Sequence, residues 1–155
     1  MAEMAAPKLT RKELIDLLTV EFPEAAHAVG AYEIEKVWHG GCLVRRPFNE
    51  GALRPGGTIS GPVMMAVADF TMYVAVLSAV GWVPLAVTTN LNINFLKKPA
   101  ARDLLAEARL IKLGKRLVVG EVALRSDGDD DLVAHVTSTY SIPPQRVYGN
   151  KIPTI

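Results

Sequence analysis

Asp69 is the one charged side chain in the run SGPVMMAVADFTMYVAVLSAVG (60–81), whose other members are almost all apolar. On a helix it shares a face with Met65, Ala66, Met72 and Tyr73, at spacings of three and four. An ionised carboxylate in such surroundings is expensive unless it has partners. One duty that justifies it is structural, a bond to a hydroxyl or backbone donor across an interface. The other is chemical, since carboxylates in apolar settings serve as general bases or nucleophiles.

The elements that must position this acid can be read around it. Ser60 suits a helix N-cap, Pro62 a first-turn position that needs no N–H, and Gly81 a C-terminal stop. Before this central helix, Thr10 and Glu13 form a capping-box pattern opening a short helix through RKELIDLLTVEF (11–22), with Leu14, Leu17 and Leu18 as its apolar stripe. Residues 32–48 suggest two strands turning at Gly40-Gly41, and PFNEGALRPGGT (47–58) reads as a loop. After the helix, AVTTNLNINFL (86–96) alternates strictly. Val87, Thr89, Leu91, Ile93 and Phe95 form one face, and Thr88, Asn90, Asn92 and Asn94 the other. LLAEARLIKL and RLVVGEVALR flank a hairpin signal at Gly114-Lys115, SDGDDD is the next turn, and LVAHVTSTYSI ends the strand series. The order predicts one α+β domain over 1–155, with an antiparallel sheet wrapped around one long helix. Residues 1–30 are its N-terminal helix and lead-in, and 143–155 a C-terminal tail. One sheet leaves part of that helix uncovered, and a second copy of the chain is the simplest cover.

Composition narrows the function classes. A formal net charge of +1 over 155 residues gives no global pull toward nucleic acid or an anionic membrane. The lone Cys42 excludes an internal disulfide, and the start shows no apolar signal segment, so a cytoplasmic protein is expected. The apolar run 61–87 is long enough to suggest a membrane span, but Asp69, Gly81 and Pro84 oppose that reading.

The stretch RPGGTISGPVMMAVAD (54–69) resembles the signature of hotdog-fold acyl-CoA thioesterases of the phenylacetate-degradation type. In that pattern an Asn falls on Arg54, a Gly on Gly57, a His on Ser60, two Gly on Gly61 and Pro62, and the acid on Asp69. A hydroxyl residue of the following strand falls on Thr88. The resemblance runs from about residue 32 to 142 and implies a hotdog fold that hydrolyses an acyl-CoA thioester to free acid and CoA. It implies that Gly61 N–H and the helix dipole polarise the carbonyl, that Asp69 acts as base or nucleophile, often toward a partner protomer's site, and that Thr88 orients water. A thioester needs an oxyanion site and a base, and a helix start facing a partner's aspartate supplies both. Ser60 replaces an imidazole and can cap the helix or donate a hydroxyl. Pro62 leaves Gly61 as the obvious backbone donor.

Substrate contacts are expected at Arg54, Gly57, Met65 and Asn90. CoA phosphates are expected at a basic cluster drawn from Lys97, Lys98, Lys115, Arg116 and Arg146. No cofactor is implied, because coenzyme A belongs to the substrate, and no metal. A homodimer, assembled further as a dimer of dimers, is the expected state. Two alternatives are a non-catalytic acyl-CoA binder and a hotdog dehydratase or hydratase. The loop before the helix holds no His, which opposes dehydration. His39-Gly40-Gly41 precedes no long helix and reads as a strand turn; His27 and His135 lack ligand partners at metal spacing. DGDDD (127–131) reads as a solvated turn, and Cys42 as a core filler. Met64, Met65, Met72, Trp38 and Trp82 suit either an acyl tunnel or core, and core is the simpler assignment.

Overall fold

A computed structural model describes residues 5–24 and 32–144. His27, Arg146 and most of the expected tail lie outside them. The elements are α1 (Arg11–Glu21), β1 (Glu33–Trp38), β2 (Gly41–Arg46), β3 (Leu53–Arg54), β4 (Thr58–Ile59), α2 (Gly61–Val80), β5 (Val87–Phe95), β6 (Leu104–Leu113), β7 (Leu117–Ser126) and β8 (Leu132–Ser141). Six strands form one antiparallel sheet in the order β1-β2-β6-β7-β8-β5. This is the expected α+β architecture. The region 47–58 is more than a loop, since a 3-10 turn at Glu50–Ala52 leads into the small β3–β4 hairpin that delivers the chain to the helix start.

The sheet curls around α2, burying Met64, Val67, Ala68 and every residue from Thr71 to Ala79. Gly120 marks the closest approach: a Cβ there would lie 2.7 Å from the Met72 sulfur and 3.0 Å from the Arg109 carbonyl oxygen. Packing against the sheet therefore holds a helix rich in Val and Thr, whose own propensity is modest. By length and composition α2 could cross a membrane, yet 67% of its most apolar window is buried inside the protein. One stripe remains open. Pro62, Met65 and Ala66 are exposed, with Asp69 and Phe70 half-buried beside them.

Helix α1 starts with the full capping box between Thr10 and Glu13, and buries Leu14, Leu17 and Leu18. Two hydrogen bonds to backbone carbonyls fix it: Lys8 N–H donates to Ser78 O at 2.8 Å, and the Arg11 guanidinium donates to Ile34 O. Its far end is thereby carried to the C-terminal half of α2. There Phe22 meets the Tyr73 ring edge-on, centroids 6.3 Å apart.

The turn after β7 is not simply solvated. Asp127 and Asp103 bind Arg45 at 2.8 and 3.1 Å, with Glu35 on the same guanidinium. Asp103 also accepts the Phe48 N–H at 2.8 Å, anchoring the segment that leads to the helix start. That backbone bond, then Arg45, outweighs burial and holds the Asp103 carboxyl below its ordinary range. A group depressed in the folded state adds stability that is present above its unfolded value, about pH 4, and is lost as pH falls through the lower folded value. Denaturant titrations between pH 5 and 3 should therefore show a shallower loss of stability in Asp103→Asn than in the natural chain. Equal slopes would remove Asp103 from the acid response.

Candidate active site

Asp69 lies on the open stripe of α2, two turns beyond its start. Its Oδ1 accepts two hydroxyl protons, from Thr88 at 2.6 Å and Tyr140 at 2.8 Å, and Tyr140 also reaches the Asp69 carbonyl at 3.1 Å. Among the described residues nothing donates to Oδ2. The carboxylate is thus clamped through one oxygen while the other stays available.

Thr88 reaches that position through a bulge. Thr88 pairs with Tyr140 and Asn90 with Thr139, so Thr89 is an extra residue on β5. The insertion breaks the strict alternation and lets Thr88, Leu91 and Ile93 all turn toward the helix. The expected inward positions Val87 and Phe95 are instead exposed, 56% and 53%, and Thr89 is exposed with them. Tyr140 comes from β8, on the inward face with Val136 and Ser138, and stacks on Tyr73 with centroids 6.2 Å apart. Burial, then the neighbouring Asp69 charge, pushes its phenol well above the usual tyrosine range, so it stays protonated and acts as a donor. Sequence reading missed Tyr140. Its parity with Val136 and Ser138 in the last strand was the available signal.

Asp69, Thr88 and Tyr140 open onto a cavity of about 740 Å³ walled by α1, α2 and β5, with Phe22, Tyr32, Phe70, Tyr73 and Trp82 on its walls. Trp82 therefore serves a cavity as well as the core, and so does Met64, which borders a second cavity, whereas Met72 is core only. Met65 is 41% exposed, so the core assignment fails for it.

Gly61 lies elsewhere. It lines a second cavity of about 420 Å³ with Arg54, Thr58, Met64, Lys97 and Lys98. As the first helical residue its N–H has no intrahelical carbonyl to bond, and Pro62 offers none. Ser60 occupies the N-cap by backbone conformation, but its hydroxyl makes no cap bond, contrary to the simple capping expectation. Eight residues of α2, about 12 Å of helix rise, separate Gly61 from Asp69 within one chain. Asp69 and Gly61 of a single copy thus face different cavities.

Other expected contacts are scattered. Gly57 lies in the β3–β4 turn with φ +74°, a conformation that favours glycine, and is exposed. Asn90 lines neither cavity, and its carbonyl accepts from Ser138 at 3.0 Å. Lys97 is engaged by Asp129 and Asp131 at 2.8 and 2.9 Å, which satisfies the charge expected to meet a phosphate. Lys98 and Arg54 border Gly61. Lys115 and Arg116 lie exposed in the β6–β7 turn and line neither cavity. His39 sits in the β1–β2 turn, and Cys42 is wholly buried with its thiol donating to Thr71 O at 3.2 Å. His135 faces Glu121 at 3.0 Å.

Residues 56–133 match the model of the Thioesterase superfamily. A provisionally named esterase of Saccharolobus solfataricus is 34% identical over 88% of this chain and 87% of its own length. A provisionally named thioesterase of Silicibacter sp. TM1040 superposes with a TM-score of 0.81 at 41% identity, covering 92% of this chain and 97% of that one. A hypothetical thioesterase of Streptococcus pneumoniae, solved with coenzyme A, shares the fold at a TM-score of 0.67 and 23% identity, over 74% and 87% of the two chains.

Proposed function

Because this chain belongs to the thioesterase superfamily and carries its hotdog fold, we propose that it hydrolyses an acyl-CoA thioester in a site shared by two copies, with Asp69 of one facing Gly61 of the other. The observation that carries this reading is the Asp69 carboxylate itself, clamped at Oδ1 and open at Oδ2 on a cavity wall. A structural aspartate has no need of a free oxygen aimed at a cavity.

Gly61 N–H and the positive end of α2 receive the thioester carbonyl oxygen as it gains charge. Asp69 Oδ2 takes a proton from water, and the resulting hydroxide equivalent bonds to the carbonyl carbon. Collapse of that adduct breaks the C–S bond. The sulfur leaves as thiolate and recovers a proton, giving free acid and CoA. Lys98 and Arg54, beside Gly61, are the cations best placed for CoA phosphates. The coenzyme A held by the Streptococcus relative supports that class of ligand.

Two features support pairing. Among the described residues β5 ends the sheet with an unpaired edge, and Phe95 and Leu96 beside it are more than half exposed. The open stripe Pro62-Met65-Ala66 adjoins Asp69 on the same helix. A second copy laid against that edge would cover both and bring its own helix start to the carboxylate.

Thiol release measured across short, long and aromatic acyl-CoAs tests the assignment, and no release from any of them would overturn it. Tyr140→Phe is expected to lower kcat about tenfold with KM little changed, since it removes one charge-assisted donor without altering the cavity wall. A kcat within twofold of the natural enzyme would show that Thr88 alone suffices.

A further inference from the structure

The 740 Å³ cavity carries an electrostatic signature that the hydrolytic reading does not use. Its described walls present three carboxylates, Glu21, Glu24 and Asp69, and no lysine, arginine or histidine. Glu21 closes α1, where the helix dipole disfavours a negative charge, and the last turn of α1 holds no basic residue to offset it. Neither Glu21 nor Glu24 forms a salt bridge among the described residues. A carboxylate placed against its helix dipole is a local cost, and such costs concentrate where function requires them.

The position of these acids matters. Phe22, between them, packs on Tyr73, one helical turn beyond Asp69 toward the C-terminus of α2. An acyl group whose carbonyl carbon lies beside Asp69 and whose tail enters this cavity runs along aromatic walls toward Glu21 and Glu24. Resting on the acyl-thioester reading above, we propose that Glu21 and Glu24 are specificity-determining residues that restrict the enzyme to acyl groups without a terminal negative charge. Half-thioesters of dicarboxylic acids are disfavoured by like-charge repulsion from Glu21 and Glu24, both exposed along the cavity wall. The N-terminal helix, which precedes the region matched by the family model, is then the element that sets acyl selectivity.

The test compares adipoyl-CoA with its ω-amide, which matches it closely in size and polarity but lacks the charge. The natural enzyme is expected to favour the amide by at least about tenfold in kcat/KM. The preference should shrink toward unity in the Glu21→Gln/Glu24→Gln double variant, and also as salt is raised, because charge repulsion is screened and shape is not. The same pair is measured by calorimetric binding to Asp69→Asn, so that recognition is read even where turnover is not. Equal handling of the two ligands, or a preference untouched by the double variant, overturns the inference while leaving the hydrolase assignment in place. Binding that discriminates, with no turnover of any acyl-CoA by the natural chain, overturns the hydrolase assignment instead.

Discussion

Asp69→Asn is expected to lower the rate of thioester hydrolysis by about 10³-fold, the scale of a lost general base, and to leave acyl-CoA affinity nearly unchanged. The substitution is isosteric. Its amide oxygen can still accept from Thr88 and Tyr140, which hold Oδ1 at 2.6 and 2.8 Å. The amide nitrogen then falls where Oδ2 was, presenting water with a donor in place of a proton acceptor. Structure is kept and basicity is lost. Thiol release under saturating substrate reads kcat, calorimetry reads binding, and thermal unfolding reports on the fold. Unchanged turnover would remove the carboxylate from the chemistry, and a large fall in unfolding temperature would return Asp69 to a structural role.

The second large effect tests whether a site needs two copies. Gly61→Pro deletes the one backbone donor at the first helical position while keeping a residue that helix starts accept. Pro also suits the extended backbone at Ser60, φ −71° and ψ 152°. Its added Cβ meets the Phe95 ring at 3.1 Å, a side chain exposed enough to move. Alone, this variant should lose about 10²-fold in kcat, as for one oxyanion donor. Mixed in equal amounts with Asp69→Asn and allowed to exchange subunits, two inactive proteins should regain about a quarter of natural activity. In an isologous dimer half the molecules are hybrids, and each hybrid holds one intact and one doubly defective site. Failure to recover activity, with hybrid formation verified by native mass spectrometry, would show that Gly61 and Asp69 act within one chain or not together.

The sequence already marked Asp69 as anomalous, because a single acid in a nearly all-apolar helix requires explanation whatever surrounds it. Helix and strand order were equally legible. The capping box at Thr10, Gly81 at the helix end and the hairpin turn near Gly114 are local signals, set by hydrogen bonds and φ preferences within a few residues. Those signals fix elements without fixing which side chains meet.

Tyr140 and Thr88 lie 71 and 19 positions from Asp69, and only the β8–β5 pairing under α2 brings all three together. The face of Thr88 depended on a bulge, which simple alternation cannot foresee because one extra residue reverses every later side chain. Likewise α1, far from the motif in sequence, became a cavity wall through packing of Leu14, Leu17 and Leu18. Short-range chemistry is written in the order of residues. Contact between distant residues follows from the burial of apolar faces, and that is decided only when the chain closes on itself.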